Sequence, residues 1–166
     1  MLSLKGDIAP GSYLIDYDQI YVITDIKNQP EIVYYKPYQI SDKNKSLVCS
    51  IPALNLNRAG LRKLLGPKEI TSLLADLSKP YSYTPSRFDL KTAKETFLSN
   101  NLVQIIPLLQ NLWSALKSET VKDDKNAKAL MESILNHLIE EITFVTKSPS
   151  ASISQKITTS LNHSLQ

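Results

Sequence analysis

The side chains best suited to catalysis in this chain are two histidines, one cysteine and one pair of adjacent glutamates, and their spacing assembles no known catalytic constellation. His137 and His163 stand 26 residues apart on stretches of helical period, without the partners that HExxH or CxxC spacing would supply, and both are expected at helix surfaces. Glu140-Glu141 reads as a solvated helix face. Cys49 sits among apolar and β-branched neighbours, as a buried strand thiol does, and a single cysteine excludes an internal disulfide. With four glycines and neither GxGxxG nor GxxxxGK(S/T), the chain has no loop to cradle a phosphate. No enzymatic activity, cofactor or metal is expected.

Binding chemistry is better represented. The net charge is +3, which by itself says little about partners, but its distribution says more. Between Asn57 and Lys94 lie eight lysines and arginines against Glu69, Asp76 and Asp89, most of the basicity of the chain. Arg87, Lys91 and Lys94 follow at steps of four and three, so a helix sets them on one side, either as a solvated face or as a joint grip on phosphates. Tyr81 and Tyr83 precede them in a loop, placed either to pack locally or to stack on a base.

Two kinds of element must position these residues. Up to Ile51 the apolar residues have strand-like spacing; after Gly66 they recur three and four apart, the period of a helix. Short strands are expected near Ile8, at Tyr13 to Ile15, Ile20 to Ile26, Glu31 to Tyr38 and Leu47 to Ile51, with Pro37 at a sheet edge or bulge. So many strands in about fifty residues imply a small, curved sheet, and a five-stranded Tudor-like or SH3-like barrel is the natural form. Pro52 stops the last strand, and Gly60 is expected at a turn that resists a side chain.

The second half should be a bundle of about five helices. Gly66-Pro67 starts the first, with Ile70, Leu73, Leu74 and Leu77 inward. Thr84 or Ser86 is expected to cap the second, with Phe88, Ala93, Phe97 and Leu98 inward. After Asn100-Asn101 comes a wide apolar face containing Leu112 and Trp113, interrupted by Pro107, which should kink the helix at a cost of roughly 3 kcal/mol unless the helix restarts there. Ala127 to Val145 makes the longest helix, and Ile153, Ile157 and Leu161 form the narrow stripe of a terminal one that packs or frays. The expected fold is therefore α+β in two parts, residues 1–66 and 67–166. Apolar residues make up 42% and charged ones 21%, as in a soluble globular protein. With no 18-residue apolar run and too short an N-terminal apolar segment for a secretory signal, the cytoplasm is the expected location.

The order of these features resembles the CarD/CdnL family of bacterial transcription regulators, whose N-terminal module is shared with the RNA-polymerase-interacting domain of the transcription-repair coupling factor. The residues that carry the resemblance are Lys5-Gly6-Asp7, Tyr34-Tyr35, Ser50-Ile51-Pro52 with Asn55, Ala59-Gly60-Leu61-Arg62, Ser86-Arg87 and Leu112-Trp113, in order over about 145 residues. The resemblance implies a non-enzymatic protein, a monomer, whose β-domain binds the RNA polymerase β subunit by strand addition at a sheet edge. Tyr34, Tyr35, Lys36 and Tyr38 would lie on or near that surface. It also implies that the helical part contacts promoter DNA at the upstream fork of the bubble and modulates open-complex stability. The family's wedging Trp falls at Pro85 here, leaving Tyr81 or Tyr83 to take its place, so the DNA-facing set becomes Tyr83, Arg87, Lys91 and Lys94. Arg62 is read instead as glue across the joint.

A second class remains open on the same residues: a Tudor/SH3-like protein–protein adaptor that binds no DNA. DNA binding through phosphates falls steeply with salt, which separates the two.

Overall fold

The structure, a computed structural model, describes residues 8–29, 32–39, 51–52, 60–81, 89–117 and 124–165. Its contacts divide the chain into two units, Met1–Leu64 and Leu65–Gln166; the change of period puts the joint at Gly66.

In the first unit, β1 (Tyr13–Ile15), β2 (Ile20–Gln29), β3 (Ile32–Gln39), β4 (Ile51–Pro52) and β5 (Arg62–Lys63) form an antiparallel sheet in the order β4-β3-β2-β1-β5. The β1–β2 turn is built by Asp16, whose Oδ1 accepts from the N–H groups of Asp18 (2.7 Å) and Gln19 (2.8 Å) while Oδ2 accepts from the Tyr21 hydroxyl (2.8 Å). Between β2 and β3 the register shifts from Ile23↔Pro37 to Ile26↔Tyr35. Two residues of β2 there oppose one of β3, a bulge, and Pro37 stands beside it. Gly60 has φ +68°, a left-handed conformation that suits glycine, just before β5 pairs with β1. Leu14, Ile23, Leu61 and Ile8 are buried together, with Tyr21, Ile26 and Ile51 packed against them.

Two expectations change here. Ile8 is a core residue but belongs to no strand. Among the described residues the sheet is open, with no pairing between β4 and β5, so these strands do not make a closed barrel. Its two outermost strands have two residues each, too few for a ladder that would seal the ends. The strand residues expected at 47–50 lie outside the described residues.

The second unit consists of α1 (Pro67–Leu77), α2 (Leu90–Leu98), α3 (Leu102–Lys117), α4 (Lys125–Thr146) and α5 (Ser150–Ser164). One core holds them together, with Leu77 of α1, Phe97 of α2, Leu109 of α3, Leu138 of α4 and Ile157 of α5 among its buried members. The start of α1 has Pro67 in its first turn, and Glu69 Oε2 accepts from the Gly66 N–H at 2.6 Å. At the other end, Gln110 Nε2 reaches over from α3 within hydrogen-bond distance of the carbonyls of Asp76, Leu77 and Lys79, pinning α3 to the last residues of α1 and the turn after it. Helix α3 runs through Pro107. The terminal stripe packs: Ile153, Ile157 and Leu161 are all buried in α5.

Three side chains depart from their expected places. His137 is buried, its Nε2 3.1 Å from Asn100 Oδ1 and its ring edge-on to Phe97. Glu141 is fully buried and accepts from the Leu65 N–H at 2.9 Å, while Glu140 is exposed. Both follow from the period, since Ile134, His137, Leu138, Glu141 and Ile142 share the inward stripe of α4. Leu98, expected inward, is 47% exposed because Ala93 and Phe97 set the buried face of α2. No described helix is long and apolar enough to cross a membrane.

Candidate nucleic-acid interface

Helix α2 carries the described half of the DNA-facing set. Its cap is Asp89 rather than Thr84 or Ser86: the carboxylate accepts from the Lys91 N–H at 3.0 Å and from the Thr92 hydroxyl. The helix then starts at Leu90, turns Ala93 and Phe97 inward, and leaves Lys91 and Lys94 exposed. Residues three apart are neighbours on a helix surface, so the two ammonium groups project from adjacent turns, with Leu98 next along the same line. Tyr83 and Arg87, and Phe88 with them, lie outside the described residues.

The hydrogen bond from Thr92 and then that from the Lys91 amide hold the Asp89 carboxyl below its ordinary value of 3.8. A depressed folded pKa means that the cap acts above the unfolded value and is lost as pH falls through the folded one. The Lys91 and Thr92 amide resonances are therefore expected to titrate together in acid. In Asp89→Asn, which caps without ionising, they should stay flat over the same range.

Helix α4 supplies what spacing along α2 does not reveal. Lys94, Phe97 and Leu98 line a shallow depression of 270 Å³ with Asn126, Ala129, Leu130 and Ser133 of α4. Asn126 therefore borders the same surface as Lys94. Lys125 and Lys128 are exposed in the first turns of α4, with Asp124 Oδ1 capping the helix through the Asn126 (2.9 Å) and Ala127 (3.0 Å) amides. Two lysines three apart at a helix start were visible in the sequence; the approach of Asn126, which stands between them, to Lys94 was not. Acidic side chains intersperse these cations: Glu95 on α2 and Glu132 on α4 are both exposed. Over residues 65–166, eleven lysines and arginines face ten acids, so this unit is close to neutral as a whole.

The matched Leu112-Trp113 pair has a structural place. Leu112 is fully buried, and Trp113 Nε1 donates to Asn162 Oδ1 at 3.3 Å, tying α3 to α5, with the Lys117 ammonium 5.2 Å from the ring centre. In the first unit, Tyr34, Tyr35, Lys36 and Tyr38 all belong to β3. The main chain of Tyr34 and Tyr35 pairs with β2 on one side and β4 on the other, so those two residues offer no free strand edge. Arg62 pairs with Ile15, and its Nη1 donates to the Lys63 carbonyl at 3.1 Å.

Among the described residues no group of three or more His, Cys, Asp or Glu side chains is placed to hold a metal ion. No family model matches the chain, and no curated protein matches it.

Proposed function

We propose that this chain is a non-enzymatic, CarD/CdnL-like transcription regulator that tethers to the RNA polymerase β subunit through its β unit and meets upstream promoter DNA with the surface around α2. The observation that carries the proposal is the pair Lys91 and Lys94, exposed on adjacent turns of a helix whose opposite face is buried. Such a pair positions a protein on phosphates without reading bases. Asn126, at the start of α4, borders the same surface at Lys94. The sheet supports the tether: a meander whose fifth strand returns to the first has the connectivity of a Tudor-like module, with β4 and β5 as outermost described strands. Strand addition at β4 or β5 then leaves the β3 tyrosines to act through side chains.

The double substitution Lys91→Glu with Lys94→Glu is expected to weaken binding to fork-junction DNA at low salt. It should lower the slope of log affinity against log salt by about 2, roughly one for each phosphate that a lysine no longer neutralises. Binding to polymerase should be retained, and the lifetime of the open complex should return toward that without the protein. An open-complex lifetime that saturating wild-type protein leaves unchanged would sink the reading.

A protein–protein adaptor is the second reading, favoured by the near balance of charge in the helical unit. It predicts polymerase capture with no salt-sensitive DNA affinity.

A further inference from the structure

We propose that His137 and Glu141 act as one buried proton-sensing pair, which makes the packing of the helical unit depend on pH. Among the described residues they are the only buried titratable side chains, at 4% and 0% exposure. They stand four residues apart on the inward stripe of α4, so they are neighbours on consecutive turns. Each also reaches another part of the unit. His137 Nε2 lies 3.1 Å from Asn100 Oδ1 in the turn between α2 and α3, and Glu141 Oε1 accepts from the Leu65 N–H at the start of the unit.

The helices packed around α4 bring no further charge inside. The buried residues of α1, α2, α3 and α5 are apolar apart from Gln110, Ser114 and Ser164. On α1, Glu69 holds the Gly66 N–H next to Leu65, and on α2, Lys94 borders a depression with Phe97, whose ring meets His137; both charges are exposed. Lys68, Lys91, Glu95, Lys117, Lys125, Lys128, Glu132, Glu140, Lys156 and His163 are exposed too. The half-buried carboxylates are Asp76, paired with Lys79, and Asp124, which caps α4.

A net charge in such a core is disfavoured whatever its sign. The pair is neutral while it holds one proton, either as carboxylate with imidazolium or as carboxylic acid with imidazole, and interacting groups of this kind titrate together. In an unfolded chain glutamate and histidine titrate near about 4.3 and 6.5. Above about pH 6.5 the unfolded chain therefore gives the pair's proton to water while the folded one keeps it. The folded state then binds more protons, so stability falls as pH rises. Below about pH 4.3 the unfolded chain takes a second proton that the folded pair resists, and stability falls toward acid. The unit is tightest between the two limits.

This proposal rests on the helical unit alone and is independent of the polymerase reading. Urea unfolding of the full chain at a series of pH values tests it, followed by the fluorescence of Trp113, the single tryptophan, which lies in α3. The double variant His137→Gln with Glu141→Gln gives the background from all other groups. Relative to it, the wild-type unfolding constant is expected to rise by at least about threefold per unit between about pH 7 and 8, where linkage to one full proton gives about tenfold. Glu141→Gln alone should move the other way. A lone buried imidazole stays neutral, so between about pH 5 and 6.5 its unfolding constant falls by a similar factor per unit as pH rises. If the double variant does not fold, the ratio of wild-type to Glu141→Gln unfolding constants carries the test and should rise from about pH 5 to 8. A wild-type slope equal to the background above pH 7, no fall in Glu141→Gln below about pH 6.5, or a flat ratio overturns the proposal.

Discussion

Leu138→Ala is expected to destabilise the helical unit by about 3–4 kcal/mol, the usual cost of a large cavity in a packed core. Leu138 is fully buried in the middle of α4, the helix that contacts α1, α2, α3 and α5. Since a domain of this size is stable by roughly 5–15 kcal/mol, the loss is a large share of the total. Urea unfolding should report it as a lower midpoint with an unchanged slope. Leu135→Ala, three residues earlier on the half-buried flank of the same helix, should cost about 1 kcal/mol. Equal effects at the two positions would mean that α4 is not centred as described.

Glu141→Ala should cost about 2–3 kcal/mol, because the Leu65 amide it serves would be left buried without that acceptor. Leu65 is the first residue of the helical unit and itself part of its core. The loss should therefore show twice, as reduced stability and as faster hydrogen exchange of the Leu65 amide. Glu141→Gln keeps an acceptor oxygen of similar shape and should recover most of the stability. Failure of Gln to do better than Ala would argue that the carboxylate serves a different partner.

These two residues also mark where the sequence was legible and where it was not. The stripe of α4 follows plainly from its apolar spacing, and Ala127, Leu130, Ile134, Leu138 and Ile142 are all buried. His137 and Glu141 lie on that same stripe, but their polarity argued for the surface, and polarity was the wrong guide. A polar side chain is accepted inside when a partner is waiting. Here the partners are Asn100, 37 residues away, and Leu65, 76 residues away, so neither is visible to local pattern. Asn100 is the more telling of the two. A break at Asn100-Asn101 is legible because asparagine tolerates left-handed backbone, and Asn100 does have φ +52°. That the same side chain should then meet a histidine of α4 depends on how the helices fold back.

The candidate interface divides in the same way. Exposure of Lys91 and Lys94 follows from their spacing against Ala93 and Phe97, which is information within one helix. The approach of Asn126 to Lys94 depends on the packing of α2 against α4, which spacing along either helix does not encode. In the sheet, the strand at Tyr13 to Ile15 and the long strands on either side of Pro30 were readable from β-branched and aromatic content. The cap of α2 was not, because Thr84, Ser86 and Asp89 are equally suited by type, and only the start of the helix at Leu90 selects among them.

The bulge in β2 has a consequence for how that strand can be read. In an unbroken strand, residues an odd number apart point to opposite faces. Ile23 and Ile26 are three apart, yet both belong to the same apolar cluster, because the inserted residue reverses the phase of everything after it. The strand therefore carries two reading frames, one from Ile20 to Ile23 and another from Ile26 onward. The bend between them is set by a count of residues rather than by the chemistry of any one side chain.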